Sequence, residues 1–421
     1  MQLTKSYYWS ALAVSAMAVV SVRGGGFDLP DQDAFALGRG MAVVATADNP
    51  SAIYFNPAGI NQLTGNNFRG GIYGIFLDPS FRPPSGAPKF ENRAQYHAIP
   101  QIYLTHTADN SPLSFGLGIY SPFGLGLRWA QDTGFRTIGL QSSITYMSVN
   151  PVVALQVLPS LSLGAGVSAS YVDADLRQGL FWPTQPYDNF RFDGTGWGVG
   201  GNLGLLWKPV EKISLGVSSR IPASVNLNGH TEYYNSVAVP GGAIPSFPQQ
   251  RVDAKADFPF PIKVVAGISY RPTPKWNLEF DVDYTDWSAL GTVTIRQAAG
   301  FPPLLPRDLP LVLDWTASCY YEFGVTHYFD NGWLVSAGYI FNQNSDPGTH
   351  YSPLAADLDR HFLSLGTGYR GKRWDMDIAY QFGYGPPRTV SGSAPSAVGQ
   401  TADGSYEFIS HAIAVSVGLH F

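Results

Sequence analysis

Residues 38–63, GRGMAVVATADNPSAIYFNPAGINQL, decide how the rest of the chain is read. The stretch is small, Ala-rich and broken by two Asn-Pro steps. In the first, Asn49 can cap an orphan backbone N–H, and Pro50 at the first helical position loses nothing by lacking one. Ala52-Ile53-Tyr54-Phe55 then makes one helical turn. That turn must stop at Asn56, because Pro57 drives its predecessor out of the helical region. Gly59 is expected to let the chain turn away. Taken alone, Asn56-Pro57 is an ordinary loop dipeptide. Everything downstream alternates like strand, so a short helix-and-turn segment ahead of a long all-β chain needs a place to be buried. The expectation is a tube of strands around a plug.

Composition points the same way. A chain of 421 residues is compatible with one large β-barrel. Charged residues make up 14%, low against the ~25% of an ordinary soluble domain. Aromatic residues also reach 14%, and with abundant Gly they suit a sheet facing lipid on one side and water on the other. A net charge of −5 offers nothing to nucleic acid. Cys319 is alone, so neither a disulfide framework nor a Cys-based metal site is expected. Residues 1–24 read as an export signal: Lys5 is the positive end, and 9–22 is an apolar run too short to span a membrane. No later stretch approaches the ~20 apolar residues of a membrane helix. An exported chain of this kind can enter a membrane only as a closed barrel.

Alternation carries the strand reading. In 276–284, Trp276, Leu278, Phe280, Val282 and Tyr284 share one face, and Asn277, Glu279, Asp281 and Asp283 the other. In 374–382, Trp374, Met376, Ile378, Tyr380 and Phe382 oppose Asp375, Asp377, Ala379 and Gln381. In 315–325, Trp315, Ala317, Cys319, Tyr321, Phe323 and Val325 form the apolar face. Fourteen candidate strands emerge, near 67–77, 93–106, 112–121, 138–158, 161–178, 190–208, 212–229, 251–271, 275–296, 312–329, 331–343, 358–371, 372–384 and 405–421. Tight links such as Pro159-Ser160 alternate with long Pro/Gly/Ser-rich ones such as 229–250 and 385–404. Trp and Tyr near the ends of apolar faces, short turns at one rim and long loops at the other are the marks of an outer-membrane barrel. The expected fold is therefore all-β, a 14-stranded antiparallel transmembrane barrel over 67–421 with a hatch at 25–66.

Catalytic patterns are missing from the sequence: no GxSxG elbow, HExxH helix, phosphate loop or CxxC occurs. Ser410 and His411 are neighbours, so on a strand they point to opposite faces. The carboxylates Glu279, Asp281, Asp283, Asp375 and Asp377 are read as lumen residues bonded to barrel Arg, Tyr and Ser in a wet interior. No catalytic, metal or cofactor residue is assigned. In 113–125, Pro122 cannot donate a ladder bond and Gly124 weakens strand packing. Either the sheet kinks there, or the strand ends and Pro122 begins the loop.

The stretch AVVATADNPSAIYFNPAGINQL resembles the hatch of the FadL family, outer-membrane transporters of long-chain fatty acids and aromatic hydrocarbons. Asn56-Pro57-Ala58 matches that family's Asn-Pro-Ala box. Ser121-Pro122-Phe123-Gly124 falls where the family has its kinked third strand, and the blocks from Pro261 to Pro272 and from Tyr284 to Ser288 are also similar. The resemblance implies a fourteen-stranded barrel in the bacterial outer membrane, with a hatch in its lumen. It implies a hydrophobic ligand that lands among the outer loops and leaves through a gap at the kinked strand. Phe181, Trp182, Tyr233, Tyr234 and Phe247, in loops 179–189 and 229–250, are the expected outer contacts. A sideways exit is physically sensible. Each buried methylene is worth about 0.8 kcal/mol, so releasing a long acyl chain into water would cost on the order of ten. Asn56 is expected to join the hatch to the third strand. Arg39 is a candidate partner for a ligand carboxylate or for a lumen Asp. Beyond the ligand, the expected partners are outer-membrane lipid and the barrel insertion machinery, which would read the alternating end of the chain and Phe421. The barrel is expected to stand as a monomer. The alternatives are a lipase-like barrel enzyme, which lacks a site, and a general porin, which needs no hatch.

Overall fold

The computed structural model describes residues 27–93, 96–222, 224–300 and 305–421, so the expected export signal lies outside the described residues. Fourteen antiparallel strands close into a barrel. They are β1 Gly65–Arg82, β2 Tyr96–Thr107, β3 Leu113–Tyr120 with Gly124–Arg128, β4 Gln141–Leu158, β5 Leu161–Gln178, β6 Asp188–Val210 and β7 Ile213–Ile221 with Val225–Asn235. The rest are β8 Phe247–Phe258 with Lys263–Thr273, β9 Trp276–Thr285 with Thr292–Gln297, β10 Asp308–Val312 with Ser318–Tyr328, β11 Trp333–Asn342, β12 Arg360–Arg370, β13 Trp374–Val390 and β14 Gly404–His420. The first strand pairs with the last from Asn67–His420 to Arg82–Ser405, and with β2 on its other side. Closure removes the free edge that an open sheet would expose.

Period-two alternation sorts the side chains as the sequence suggests. On β9, Trp276, Leu278 and Tyr284 are exposed to the lipid side, while Asn277, Glu279, Asp281 and Asp283 are buried inward. On β14, Ile413, Val415, Val417, Leu419 and Phe421 face outward, and Ser410, Ala412, Ala414 and Ser416 face in. His411 sits on the outer face, where its Nδ1 lies 2.8 Å from the Tyr380 hydroxyl. Links are tight at 159–160, 211–212 and 274–275, and long at 179–187, 236–246, 343–359 and 391–403.

Five strands are interrupted, where the sequence anticipated a disturbance only in the third. β3 breaks at 121–123, β7 after Ile221, β8 at 259–262, β9 at 286–291 and β10 at 313–317. Proline accounts for three of them directly, since Pro122, Pro222, Pro259 and Pro261 have no ladder donor. One break corrects the reading of 315–325. Trp315 lies in the interruption and is buried in the lumen, not on the lipid face; the outward face of β10 begins at Cys319.

Inside the barrel sits the hatch, with α1 Ala34–Gly38, α2 Ala52–Phe55 and a 3₁₀ turn Pro57–Gln62. Asn49 does not cap α2: the helix starts at Ala52 with Ser51 at its cap, and Asn49 Oδ1 accepts from Ser51 N and Oγ in the turn ahead of it. Gly59 does not turn the chain away. It lies within the 3₁₀ turn, and a Cβ there would come within 2.5 Å of Ala47. The barrel makes room with glycines of its own on the inward face. A Cβ on Gly338 would stand 2.1 Å from the Arg39 carbonyl carbon, and one on Gly216 2.2 Å from Val44 O.

Candidate functional site: an apolar cavity, its floor and a gap in the wall

Carboxylates of β9 seat the hatch. Asp281 Oδ2 accepts from Val43 N and Val44 N, both at 2.9 Å, and Glu279 Oε1 from Ala45 N (2.7 Å) and Thr46 N (3.0 Å). Glu279 Oε2 also takes the Thr46 hydroxyl and the Arg39 guanidinium, the latter at 3.2 Å. On the opposite side Arg69 of β1 bridges Asp33 of the hatch to Asp375 and Asp377 of β13, at 2.5–2.6 Å. Lys263 ties Asp28 to Asp283, at 2.6 and 2.5 Å. The acidic rows are therefore hatch clamps, with partners on the plug as well as on the wall. Hatch backbone, not water, meets Glu279 and Asp281. Arg39 is fully buried against Glu279 and is not available to a ligand.

The third strand kinks. Its ladder with β2 ends at Ile102–Ile119, while β2 itself continues to Tyr96 along β1. Above, contact with the next stretch of wall resumes where Arg93 N donates to Arg128 O and Arg128 N to Asn92 Oδ1. Between these points Ser121, Pro122 and Phe123 bend into the lumen and are met by the hatch. Leu29 N donates to Pro122 O (2.9 Å), Gly124 N to Phe27 O (2.8 Å) and Gln32 Nε2 to Ser121 O (2.8 Å). Asp28 and Phe123 form a single antiparallel bridge. Buried polar backbone must find partners, and here the plug supplies what the broken ladder withdraws.

The strand breaks also deliver aromatic rings to one point. Phe123 comes from the break in β3, Phe258 borders that of β8 and Phe260 lies in it, and Trp287 and Trp315 lie in those of β9 and β10. Their ring centroids stand 4.7–6.0 Å from Phe27. Above this cluster, toward the long loops, lies a cavity of about 370 Å³. Its wall includes Ile138, Leu176, Val293, Leu313, Leu354 and Trp315, and Phe27 forms part of it. A concave apolar space of this size with few polar groups is the usual form of a small-molecule site.

The residues singled out in the sequence separate into three places. Ser121, Pro122, Phe123 and Gly124 are at the wall gap. Asn56, Pro57 and Ala58 are not: Asn56 Nδ2 donates to Val44 O (2.8 Å) and to Leu205 O of β6 (3.0 Å), and its Oδ1 accepts from Ala58 N. The box thus docks on β5 and β6, where Gly164 and Gly204 leave room, and not on the third strand. The third strand instead meets Tyr54, whose ring lies 5.0 Å from that of Tyr120. The third group is at the loop rim. Phe181 and Tyr233 both pack on Phe247, with centroids 6.5 and 6.3 Å apart, while Trp182 rests on Tyr187 and donates to Asn235. Tyr233 and Tyr234 belong to strand β7 and Phe247 begins β8, so only Phe181 and Trp182 lie in a loop. β7 and β8 pair to Asn235–Phe247, which shortens the intervening loop to 236–246. None of the five lines the cavity. Phe27, Lys263, Trp287 and Trp315 were missed. Prolines inside strand-like runs were the signal available for the breaks; nothing local marks Phe27.

A model of the family described as outer membrane protein transport protein (OMPP1/FadL/TodX) matches residues 15–421. The long-chain fatty acid transport protein of Escherichia coli K12 is 22% identical over 455 residues, covering 98% of this chain and 97% of that one. Outer membrane protein P1 of Haemophilus influenzae is 20% identical, with 90% of each covered. Among solved structures, a Pseudomonas aeruginosa FadL homologue superposes with a TM-score of 0.81 at 19% identity, covering 94% of this chain and 100% of that one. The Pseudomonas putida toluene transporter TodX gives 0.75 at 18%, with 94% and 100% covered. These likenesses bear out the fourteen-stranded fold and the outer-membrane location, and those of the names that state an activity state transport.

Proposed function

The chain belongs to the OMPP1/FadL/TodX family of outer-membrane transport proteins, and from that premise we propose that it admits hydrophobic small molecules from outside and passes them sideways into the bilayer. Relatives named for long-chain fatty acids and neighbours named for toluene support this ligand class. One observation carries the route. Phe27 lines the apolar cavity, and its carbonyl accepts the hydrogen bond from Gly124 at the wall gap. Withdrawal of the segment around Phe27 joins the cavity to the gap between β2 and β3. A ligand drives that withdrawal only by binding the withdrawn arrangement better than the seated one. The protein works as a monomer, inserted by machinery that reads the outward-facing residues ending at Phe421. A closed barrel with no edge to pair supports both.

Asp28 and Phe123 face each other as a non-hydrogen-bonded pair, a geometry with Cα atoms about 4.5 Å apart, within the range a disulfide spans. In a Cys319→Ser background, Asp28→Cys with Phe123→Cys staples the hatch to the kink when oxidised. Cells carrying this variant should take up no toluene until reductant is added. Equal uptake in the oxidised and reduced states would refute lateral release past this segment.

A further inference from the structure

Resting on that reading, the cavity above Phe27 raises a question of charge. We infer that it selects uncharged ligands, an apolar body bearing at most one neutral hydrogen-bonding group, and turns away carboxylates. Of the side chains lining it, only His350 and Tyr351 can ionise. His350 is already engaged, with Nδ1 3.0 Å from Asp314 Oδ2. Among the described residues no lysine or arginine reaches the wall.

None of the cations nearby in the chain lines the cavity. Arg136, next to the lining Thr137, donates to Gln131, to Asp188 and to the Trp182 carbonyl. Arg177, next to Leu176, holds Asp175. Arg388 lies 5.0 Å over the Tyr351 ring and donates to Asn344 Oδ1 and to the Asp346 and Asp357 carbonyls. Arg360 stands against Asp357 and the Phe408 ring and lines no part of the cavity.

Polar atoms on the wall are mostly matched within the protein. The Thr137 hydroxyl bonds to Ser396 and Gln400. Two groups differ: the indole N–H of Trp315 and the hydroxyl of Tyr351, both on buried rings, have no hydrogen-bond partner. Burial and the neighbouring Asp346 hold that phenol well above its ordinary pKa, so it stays neutral. A neutral hydroxyl can meet an alcohol or a carbonyl group, but it cannot balance a buried anion. An unpaired charge brought into such a site is costly, and the ligand sheds the charge instead.

The test is equilibrium binding of decan-1-ol and of decanoate to the full-length protein in detergent, between pH 5 and pH 8. Decanol should bind with little pH dependence. Decanoate should bind about a thousandfold more weakly than decanol at pH 8, the ratio for roughly 4 kcal/mol, and lose close to tenfold per pH unit above the ordinary carboxyl range, as expected if only its acid form enters. Ile138→Lys, which places a cation on the wall, should raise decanoate binding at pH 8 and spare decanol. Decanoate binding as tightly as decanol at pH 8, or an Ile138→Lys protein that folds and leaves decanoate binding unchanged, overturns the inference and leaves the transport reading standing. Failure of both ligands to bind overturns the cavity as a ligand site and the transport route with it.

Discussion

Asp31 shows how much one hatch residue can carry. It lies beside Asp28 and accepts from the Tyr73 hydroxyl, and burial, then Asp28, push its carboxyl from 3.8 up to about 7 against the pull of Tyr73 and Lys263. The seated hatch therefore binds a proton that the withdrawn one releases. Seating is strongest below about pH 4 and weakens as pH rises towards 7, because the withdrawn state binds fewer protons across that window. Hydrogen exchange in residues 27–39 should accelerate between pH 4 and pH 7 in the native protein and lose that excess in Asp31→Asn. An identical pH profile in the variant would remove Asp31 from the hatch equilibrium. Asn56 is the second such residue. Asn56→Ala strands the Val44 and Leu205 carbonyls and the Ala58 amide, each unsatisfied group costing about 1–3 kcal/mol. Limited proteolysis should cut faster within 45–62 while the barrel stays resistant; unchanged cleavage would mean that the glycine contacts alone hold the box.

The instructive element is the interrupted strand. β3, β8, β9 and β10 all break near one level of the barrel, and each break turns an aromatic ring towards Phe27. A continuous strand would have pointed alternate residues at lipid; the break frees Trp315 from that rule. Gly124 restarts β3, paired with Thr145 of β4 and bonded to Phe27 O. Gly124→Val puts a branched side chain at the gap while leaving the β4 ladder in place. It should cut hydrophobic uptake at least severalfold with the folded barrel amount unchanged, and undiminished uptake would count against the gap as the exit. Much of this element was open to sequence reasoning, since Pro122 and Gly124 announced a disturbance. Whether the strand kinked or ended could not be read there. That depended on Leu29, Phe27 and Gln32 arriving from elsewhere in the chain to take up the freed backbone groups.

At the scale of the whole molecule, hatch and wall are held by different forces. The wall is a closed ladder of backbone hydrogen bonds with an apolar exterior. The hatch is held by buried ion pairs, carboxylate–amide bonds and close contact on inward glycines. Removing residues 38–63 should leave a folded, heat-modifiable barrel and open a steady ion conductance in planar bilayers, where the full protein passes little current. A deletion variant that fails to fold would show instead that the plug is needed to assemble the wall. The sequence by itself determined the strand count, the two faces of strands such as β9 and β13, the alternating link lengths and the presence of a plug. Those follow from local chemistry, because period-two alternation and proline or glycine punctuation act over a few residues. Only the tertiary structure decided which partners the lumen carboxylates take, that the Asn-Pro-Ala box docks on β5 and β6, and that Phe27 floors an apolar cavity beside the wall gap. Each of these joins residues far apart in the chain, and a contact made by barrel closure leaves no periodic trace in the segments it connects.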